Sequence, residues 1–148
     1  MKISVKGRYG LAVMINMAQS YYNGENITVL SFANKLGFSK IYLEQVFSLL
    51  KRAGLVTAIK GAQGGYQLAK EPQNITVYNV LSAIEYSIFE KAEVTVAEKA
   101  TEIEQAMQKS AFDVLDNAIE KTLKSITLRD LVNDAESYKT DNSLMFYI

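Results

Sequence analysis

The fold is decided by one stretch of the chain, residues 28–54, which reads TVLSFANKLGFSKIYLEQVFSLLKRAG. Thr28 and Ser39 are residue types that cap helix N-termini, and glycine, here Gly37, is a type that ends helices. The pattern predicts a short helix between Thr28 and Gly37, and a longer one that Ser39 caps and that runs through Ala53.

The spacing of small and apolar residues within this stretch is that of a helix-turn-helix. Such a unit needs a small residue where the helices cross, a residue that tolerates a positive φ at the turn, and apolar positions that bury the second helix. Ala33, Gly37, Leu43 and Val46 meet these needs in chain order. A plain two-helix corner of a small helical domain would share part of this pattern.

In a helix-turn-helix, the second helix is the recognition helix. Its outward side chains here can read bases, because Gln can form two hydrogen bonds with adenine and Glu can accept one from cytosine. The residues expected to face the major groove are Ser39, Lys40, Tyr42, Glu44 and Gln45.

A glycine-rich hairpin is predicted directly after this helix. The β-type runs Leu55–Ile59 and Tyr66–Ala69 flank the sequence KGAQGG at residues 60–65. A hairpin in this place is the wing of a winged helix, which can lie on phosphates or enter the minor groove. Neither the dinucleotide nor the P-loop glycine spacing is present, so a nucleotide site is excluded. The predicted DNA contacts of the wing are Lys60, Gly61, Gln63 and Gly64.

Helical patterns cover the rest of the chain. Thr95 with Glu98, and Thr127 with Asp130, have the spacing of capping boxes. The helix after Thr95 carries apolar residues at steps of four and three, near the spacing of a helix that packs along another helix. The further predicted helices are Lys6 to Tyr22 before the pair Asn23-Gly24, Thr76 to about Ile88, Thr95 to about Leu123, and one that begins after Thr127 and is followed by a polar stretch from Glu136 to Ser143.

The composition excludes several classes of protein. The 148 residues include no cysteine and no histidine, which rules out disulfides, thiolate or imidazole zinc sites, cysteine nucleophiles and Ser-His-Asp triads. The paired acids Glu102 and Glu104 are two residues apart, so they point away from each other on a helix. We therefore predict no enzyme activity, no cofactor and no metal.

The zero net charge hides two oppositely charged halves. Residues 1–70 hold nine basic and two acidic side chains, a net charge of +7, and residues 71–148 hold seven basic and fourteen acidic ones, a net charge of −7. A basic half suits a polyanion such as DNA. The apolar run at residues 11–15 is too short for a signal peptide or a membrane span, so we expect a cytoplasmic protein.

Four motifs in chain order resemble the Rrf2 type of winged-helix transcription regulators: KGRY at 6–9, YLEQ at 42–45, GLV at 54–56 and KGAQGGYQL at 60–68. The resemblance implies a homodimer that binds palindromic double-stranded DNA, with the recognition helix in the major groove and the wing beside it. It also implies a segment on the DNA backbone, formed by Ser4, Lys6, Arg8 and Tyr9.

The same resemblance implies that helices of the acidic half form the dimer interface. The apolar residues at steps of four and three are the expected contacts, namely Ile103, Met107, Ala111, Val114 and Ala118. The predicted fold is mainly α with a small β-hairpin wing (α+β). Its predicted parts are a winged helix-turn-helix DNA-binding domain over 1–75, a helical dimerisation region over 76–136 and a C-terminal tail over 137–148.

Many members of that family bind an iron–sulfur cluster through three cysteines placed just after the region of Ile84 and Glu85. This chain offers only Glu, Ser and Thr as candidate ligands over residues 86–101. The resemblance therefore favours a branch without the cluster.

The C-terminal tail points to one such branch. Consecutive apolar residues at a chain end are costly to expose, and they can enter the pocket of a partner. Met145, Phe146, Tyr147 and Ile148 resemble the terminus of family members that repress cysteine-metabolism genes. The implied partner is O-acetylserine (thiol)-lyase, the cysteine synthase, which binds a similar peptide ending in Ile. A tail folded onto its own dimer is the alternative.

Three hypotheses for function follow. The first is a cluster-free repressor of cysteine and sulfur metabolism genes that the synthase controls. The second is a winged-helix regulator of other genes that responds to a small ligand in the dimer interface. The third is a winged helix used for protein association without DNA binding, against which the basic half argues.

Overall fold

The computed structural model describes residues 2–23, 28–61 and 64–146. The predicted winged helix-turn-helix is confirmed: three helices precede a two-stranded antiparallel hairpin. A short 3-10 turn over Tyr21–Asn23 extends the first helix, and the second member of the pair Asn23-Gly24 lies outside the described residues. The elements are α1 (Val5–Ser20), α2 (Val29–Leu36), α3 (Lys40–Arg52), β1 (Val56–Ala58) and β2 (Tyr66–Leu68).

The predicted caps set the ends of α2 and α3. The hydroxyl of Thr28 accepts a hydrogen bond from the Ser31 N–H at 3.0 Å, and Ser39 caps α3. Gly37 ends α2 with a φ of 71°, which side chains other than glycine rarely adopt. The helix-turn-helix therefore follows from local sequence chemistry.

A single apolar core joins these elements. Fully buried side chains come from α1, α2, α3, the hairpin and the segments that follow. They include Met14, Phe32, Leu43, Phe47 and Val56.

The fourth helix, α4 (Val77–Ile84), begins with a capping box between Thr76 and Asn79. It is shorter than predicted, because Glu85 leaves the helical conformation and a 3-10 turn over Tyr86–Phe89 replaces the last predicted turn.

The capping box predicted for Thr95 and Glu98 is wrong. The chain forms a turn there, and the buried carboxylate of Glu104 accepts the N–H groups of Thr95 and Val96 at 3.3 and 2.9 Å. Glu104 lies in the first turn of the helix that begins at Thr101, so its hydrogen bonds fold the segment of Thr95 and Val96 back against that helix. The helical run therefore starts six residues later than predicted and comprises α5 (Thr101–Met107), a π-helical turn (Gln108–Phe112) and α6 (Asp113–Ser125).

The last helix, α7 (Leu128–Phe146), starts with the predicted capping box of Thr127 and Asp130. It runs through the polar stretch that was expected to follow it. Its first residue, Leu128, is fully buried in the core of the winged helix, and its N–H donates to the carbonyl of Ile75 at 2.9 Å. Within the described residues, no helix combines the length and the apolar character needed to cross a bilayer.

Candidate nucleic-acid interface

Helix α3 presents a polar outer face above a buried inner one. Leu43, Val46, Phe47 and Leu50 are fully buried, which fixes the rotation of the helix. Four of the five residues predicted to face DNA are consequently exposed, namely Ser39, Lys40, Glu44 and Gln45.

Tyr42 is the exception among these five residues. It is half-buried, and its ring makes an edge-to-face contact with Tyr9 of α1, with centroids 5.4 Å apart. Tyr42 therefore packs α3 against α1, and only the exposed part of its side chain is available to contact DNA.

Further residues of α3 are exposed that were not predicted to face DNA, among them Lys51 and Arg52 near its end. Ile41 is 71% exposed, and Ser48 is also exposed. An exposed apolar side chain on a recognition helix is suited to contact the methyl group of thymine. The signal was present, since Ile41 lies between Lys40 and Tyr42, but only polar side chains and a tyrosine were predicted as contacts.

The N-terminal segment is joined to the recognition helix by stacked rings. The ring of Tyr9 stacks on Phe38 in the turn, with centroids 3.8 Å apart and planes 15° from parallel. Arg8, beside it, is exposed, whereas Lys6 and Ser4 are half-buried. The structure thus places the KGRY motif of residues 6–9 next to the start of α3.

Ser4 has a structural task at the start of α1. Its hydroxyl accepts the Gly7 N–H at 3.0 Å as the N-cap, and its own N–H donates to the carboxylate of Glu85 at 2.9 Å. A helix N-terminus carries partial positive charge, so the carboxylate of Glu85 is well placed there. The role of Glu85 was not predicted, because nothing in the local sequence relates it to Ser4.

The wing is anchored to α3 through an aromatic pair. Val56 pairs with Leu68 and Ala58 with Tyr66 in the hairpin, and the ring of Tyr66 stacks on Phe47 of α3 at 4.4 Å. The position of the wing relative to the recognition helix is therefore fixed by packing.

The tip of the wing carries the predicted lysine and glycines. Lys60 is exposed. Gly61, Gly64 and Gly65 all have positive φ, and the Gly64 N–H donates to the Gly61 carbonyl at 3.2 Å. Gln63 lies outside the described residues.

The basic side chains of the winged helix are free to bind an anion. None of the exposed ones forms an ion pair among the residues that the structure describes. Unpaired Lys and Arg on a surface are what phosphate contacts require. These side chains belong to Lys2, Arg8, Lys35, Lys40, Lys51, Arg52, Lys60 and Lys70.

The residues predicted for dimerisation are spread along α5, the π-helical turn and α6, and most of them are exposed. Ile103 and Val114 are 52% and 59% exposed, Ala111 and Ala118 are exposed, and Met107 is half-buried. Phe112 and Leu115, which were not predicted, are further apolar residues of this helical run that are 37% and 57% exposed.

The tail residues predicted to bind a partner fall at the end of α7. The helix extends to Phe146 and includes Met145, while Tyr147 and Ile148 lie outside the described residues.

Known proteins that match this chain over most of its length include regulators of transcription. The chain matches the Rrf2 family, described as an iron-dependent transcriptional regulator, over residues 3–134. It is similar to the HTH-type transcriptional regulator CymR of Bacillus subtilis (strain 168), with 39% identity over 149 residues that cover 100% of both chains.

Solved structures agree with this match. The structure of CymR, described as the global cysteine regulator of B. subtilis, has a TM-score of 0.74 at 38% identity and covers 90% of this chain and 97% of that one. The structure of T. potens IscR has a TM-score of 0.72 at 38% identity, covering 93% and 90%. The predicted resemblance is confirmed, and so is the assignment to regulators rather than enzymes. The chain belongs to the Rrf2 family of transcriptional regulators.

Proposed function

We propose that this protein is a homodimeric, sequence-specific DNA-binding repressor of cysteine and sulfur metabolism genes. The observation that carries the proposal is the 39% sequence identity between this chain and CymR, which extends along the whole of both chains. CymR is described as a global cysteine regulator, and the unpaired basic surface around α3 supports DNA as the ligand.

In this proposal the three parts of the interface have different tasks. Gln45, Glu44 and Lys40 on α3 contact base edges in the major groove, because side chains on such a helix reach them. Arg8 of α1 and Lys60 of the wing bind phosphates on either side, which gives affinity without sequence preference. The packing of Tyr9 and Tyr66 keeps the three parts in register.

The dimer would form through the apolar face of α5 and α6. An exposed apolar surface of this kind is costly in water and marks an interface. A dimer with twofold symmetry matches a palindromic site whose half-site centres are about one helical turn, or a multiple of it, apart. Ile103, Met107, Ala111, Val114 and Ala118 are the proposed contacts.

The residues of this chain do not fit an iron–sulfur cluster, although the family is described as iron-dependent. Such clusters are held mainly by cysteine thiolates, with histidine in some, and the chain has neither residue type. One carboxylate in the region, that of Glu104, is already committed to backbone N–H groups. We therefore assign the protein to a cluster-free branch of the family.

The signal would then reach the repressor through another protein. We propose that the tail, Met145–Ile148, enters the active site of O-acetylserine (thiol)-lyase as a short C-terminal peptide. The support is the resemblance of its apolar end to such peptides. A cytoplasmic location fits both partners.

DNA binding is tested by selecting duplexes from a random pool with the full chain and measuring their affinity by fluorescence anisotropy. The proposal expects enrichment of a near-palindrome that binds at least about a thousandfold more tightly than a shuffled duplex. Equal affinity for the selected and shuffled duplexes would contradict it.

The partner is tested by titrating O-acetylserine (thiol)-lyase with a peptide of residues 142–148 in a calorimeter. The matched control is the same peptide without Ile148. Saturable binding that is lost with Ile148 supports the proposal, and equal heats for both peptides contradict it.

A further inference from the structure

A small cavity lies between α4, the 3-10 turn that follows it and α6. Its volume is about 120 Å³. It is lined by the aromatic residues Tyr78, Tyr86 and Phe89, the apolar residues Ile88 and Ile119, and the acidic residues Asp116 and Glu120, and Tyr86 is 69% exposed. Tyr78 and Phe89 contact each other with centroids 4.7 Å apart.

The cavity is on the inner side of α6, away from the proposed dimer face. Residues three or four apart share one face of a helix, so Asp116 lies with Ile119 and Leu123. Leu123 is buried against α4. Val114 lies on the opposite side of α6, where it is exposed, whereas Ala118 lies at the boundary and lines one surface with Ile119 and Leu123. Dimerisation centred on Val114 would leave the cavity free.

The lining of the cavity has the chemistry of a cation site. The Asp116 carboxylate is half-buried and makes no hydrogen bond or ion pair with any residue that the structure describes. Aromatic faces attract ammonium groups, and the attraction grows as water is excluded. An unpaired carboxylate beside three aromatic rings thus favours a ligand that is positively charged and partly apolar.

One cation of the chain already uses the edge of this site. The Nζ atom of Lys124 lies 4.7 Å from the centroid of the Tyr78 ring and 2.7 Å from Oε1 of Glu120. Lys124 itself is outside the cavity and more than half exposed. Its ammonium therefore contacts the ring of Tyr78 and neutralises part of the charge of Glu120, while Asp116 stays unpaired.

We propose that this cavity binds a small organic ammonium ion, held by Asp116 and by the faces of Tyr78 and Phe89. A compact primary amine of the size of isobutylammonium matches the volume. Lys124 competes with such a ligand for Tyr78 and Glu120.

The site is connected to the DNA-binding surface by a short physical path. Tyr86 and Phe89 belong to the 3-10 turn that follows Glu85, and Glu85 holds the N–H of Ser4 at the start of α1. A ligand that fixes this turn would fix Glu85, and with it the segment that carries Arg8. This regulatory part of the inference rests on the proposed DNA binding, whereas the ligand site does not.

The ligand site is tested by NMR titration of the full chain with isobutylammonium, with neutral isobutanol as the matched probe. We expect saturable shifts at Tyr78, Phe89 and Asp116, with isobutanol binding about tenfold more weakly. Equal affinity for the two probes, or no saturable shift at these residues, would overturn the proposal.

Variants test the assigned roles. Asp116→Asn should weaken isobutylammonium binding about tenfold, and Lys124→Gln should tighten it because the competing cation is removed. Lys121→Gln, an exposed lysine on the same helix, is the control for a change in surface charge and should have little effect. Unchanged binding in Asp116→Asn, or equal effects of the two lysine variants, would overturn the assignment.

The regulatory part is measured by DNA anisotropy with isobutylammonium chloride or the same concentration of sodium chloride. A change in affinity with the ammonium salt alone supports the path through Glu85, and it should disappear in Glu85→Gln. If the NMR shifts occur and DNA affinity does not change, the path is wrong and the ligand site stands. If the chain binds no DNA in either salt, the proposed function fails, and the NMR result still decides the site.

Discussion

Oε1 of Glu85 accepts a hydrogen bond from the backbone N–H of Ser4 at 2.9 Å, although 81 residues separate the two in sequence. The other carboxylate oxygen of Glu85 is buried without a hydrogen-bond partner among the described residues. It lies so close to Gly7 that a Cβ at that position would clash with it. The glycine of the KGRY motif therefore makes room for an acid from the other half of the chain, and α1 begins where Glu85 holds it.

Replacing Glu85 by Ala should lower the free energy of unfolding by about 1 to 3 kcal/mol, because the Ser4 N–H loses a charged acceptor. DNA affinity should fall as well, since the segment of Ser4 to Tyr9 is no longer held. Urea unfolding and anisotropy measure the two effects. Glu90→Ala, at an exposed position nearby, is the control, and equal losses in both variants would contradict the role of Glu85.

The contact between α1 and α4 is close at Gly10. A Cβ on Gly10 would clash with Cδ1 of Ile84, so Gly10→Ala should destabilise the fold by about 1 to 3 kcal/mol despite the better helix propensity of alanine. Ile84→Val removes that one carbon.

The double variant should therefore recover at least about 0.5 kcal/mol relative to the sum of the single changes, as measured by a double-mutant cycle in urea. If the changes in unfolding free energy of the two single variants were strictly additive, the clash between residue 10 and Ile84 would not be what destabilises Gly10→Ala.

The phosphate contacts are tested through salt dependence. Arg8→Ala and Lys60→Ala should each weaken binding on every duplex by a similar factor, and each should reduce the slope of log affinity against log salt by about 1. Lys139→Ala, on the far part of α7, serves as the charge control. If the salt slope were unchanged in Arg8→Ala and Lys60→Ala, these two residues would not contact phosphates.

Removal of residues 146–148 separates the two proposed activities of the chain. DNA affinity of the free repressor should be unchanged, because these residues are far in sequence from α3 and the wing, and binding to O-acetylserine (thiol)-lyase should be lost. Sedimentation of the truncated chain adds a third readout. Dissociation of the dimer would instead indicate that the tail packs on its own protein.

Local chemistry in the sequence was enough to predict the winged helix. Thr28, Ser39 and Gly37 act over one turn of the chain, so their effect can be recognised from spacing. The capping box at Thr127 was predictable for the same reason.

Contacts between distant segments could not be predicted in this way. The bond from Glu85 to Ser4 and the stack of Tyr9 on Phe38 depend on how helices pack. At Thr95 a local pattern failed because the carboxylate of Glu104, the fourth residue of α5, accepts the Thr95 N–H that Glu98 was expected to accept. Tertiary packing decided each of these cases.

The most direct test of the account is the affinity of Gln45→Ala for the selected palindrome and for a shuffled duplex. Because Gln45 is exposed on α3 and is proposed to contact a base, its loss should cost about 1 to 3 kcal/mol on the palindrome and nothing on the shuffled duplex. Preference at one base position of each half-site should relax. An equal loss on both duplexes, or no loss on either, would contradict the assignment of α3 as the recognition helix.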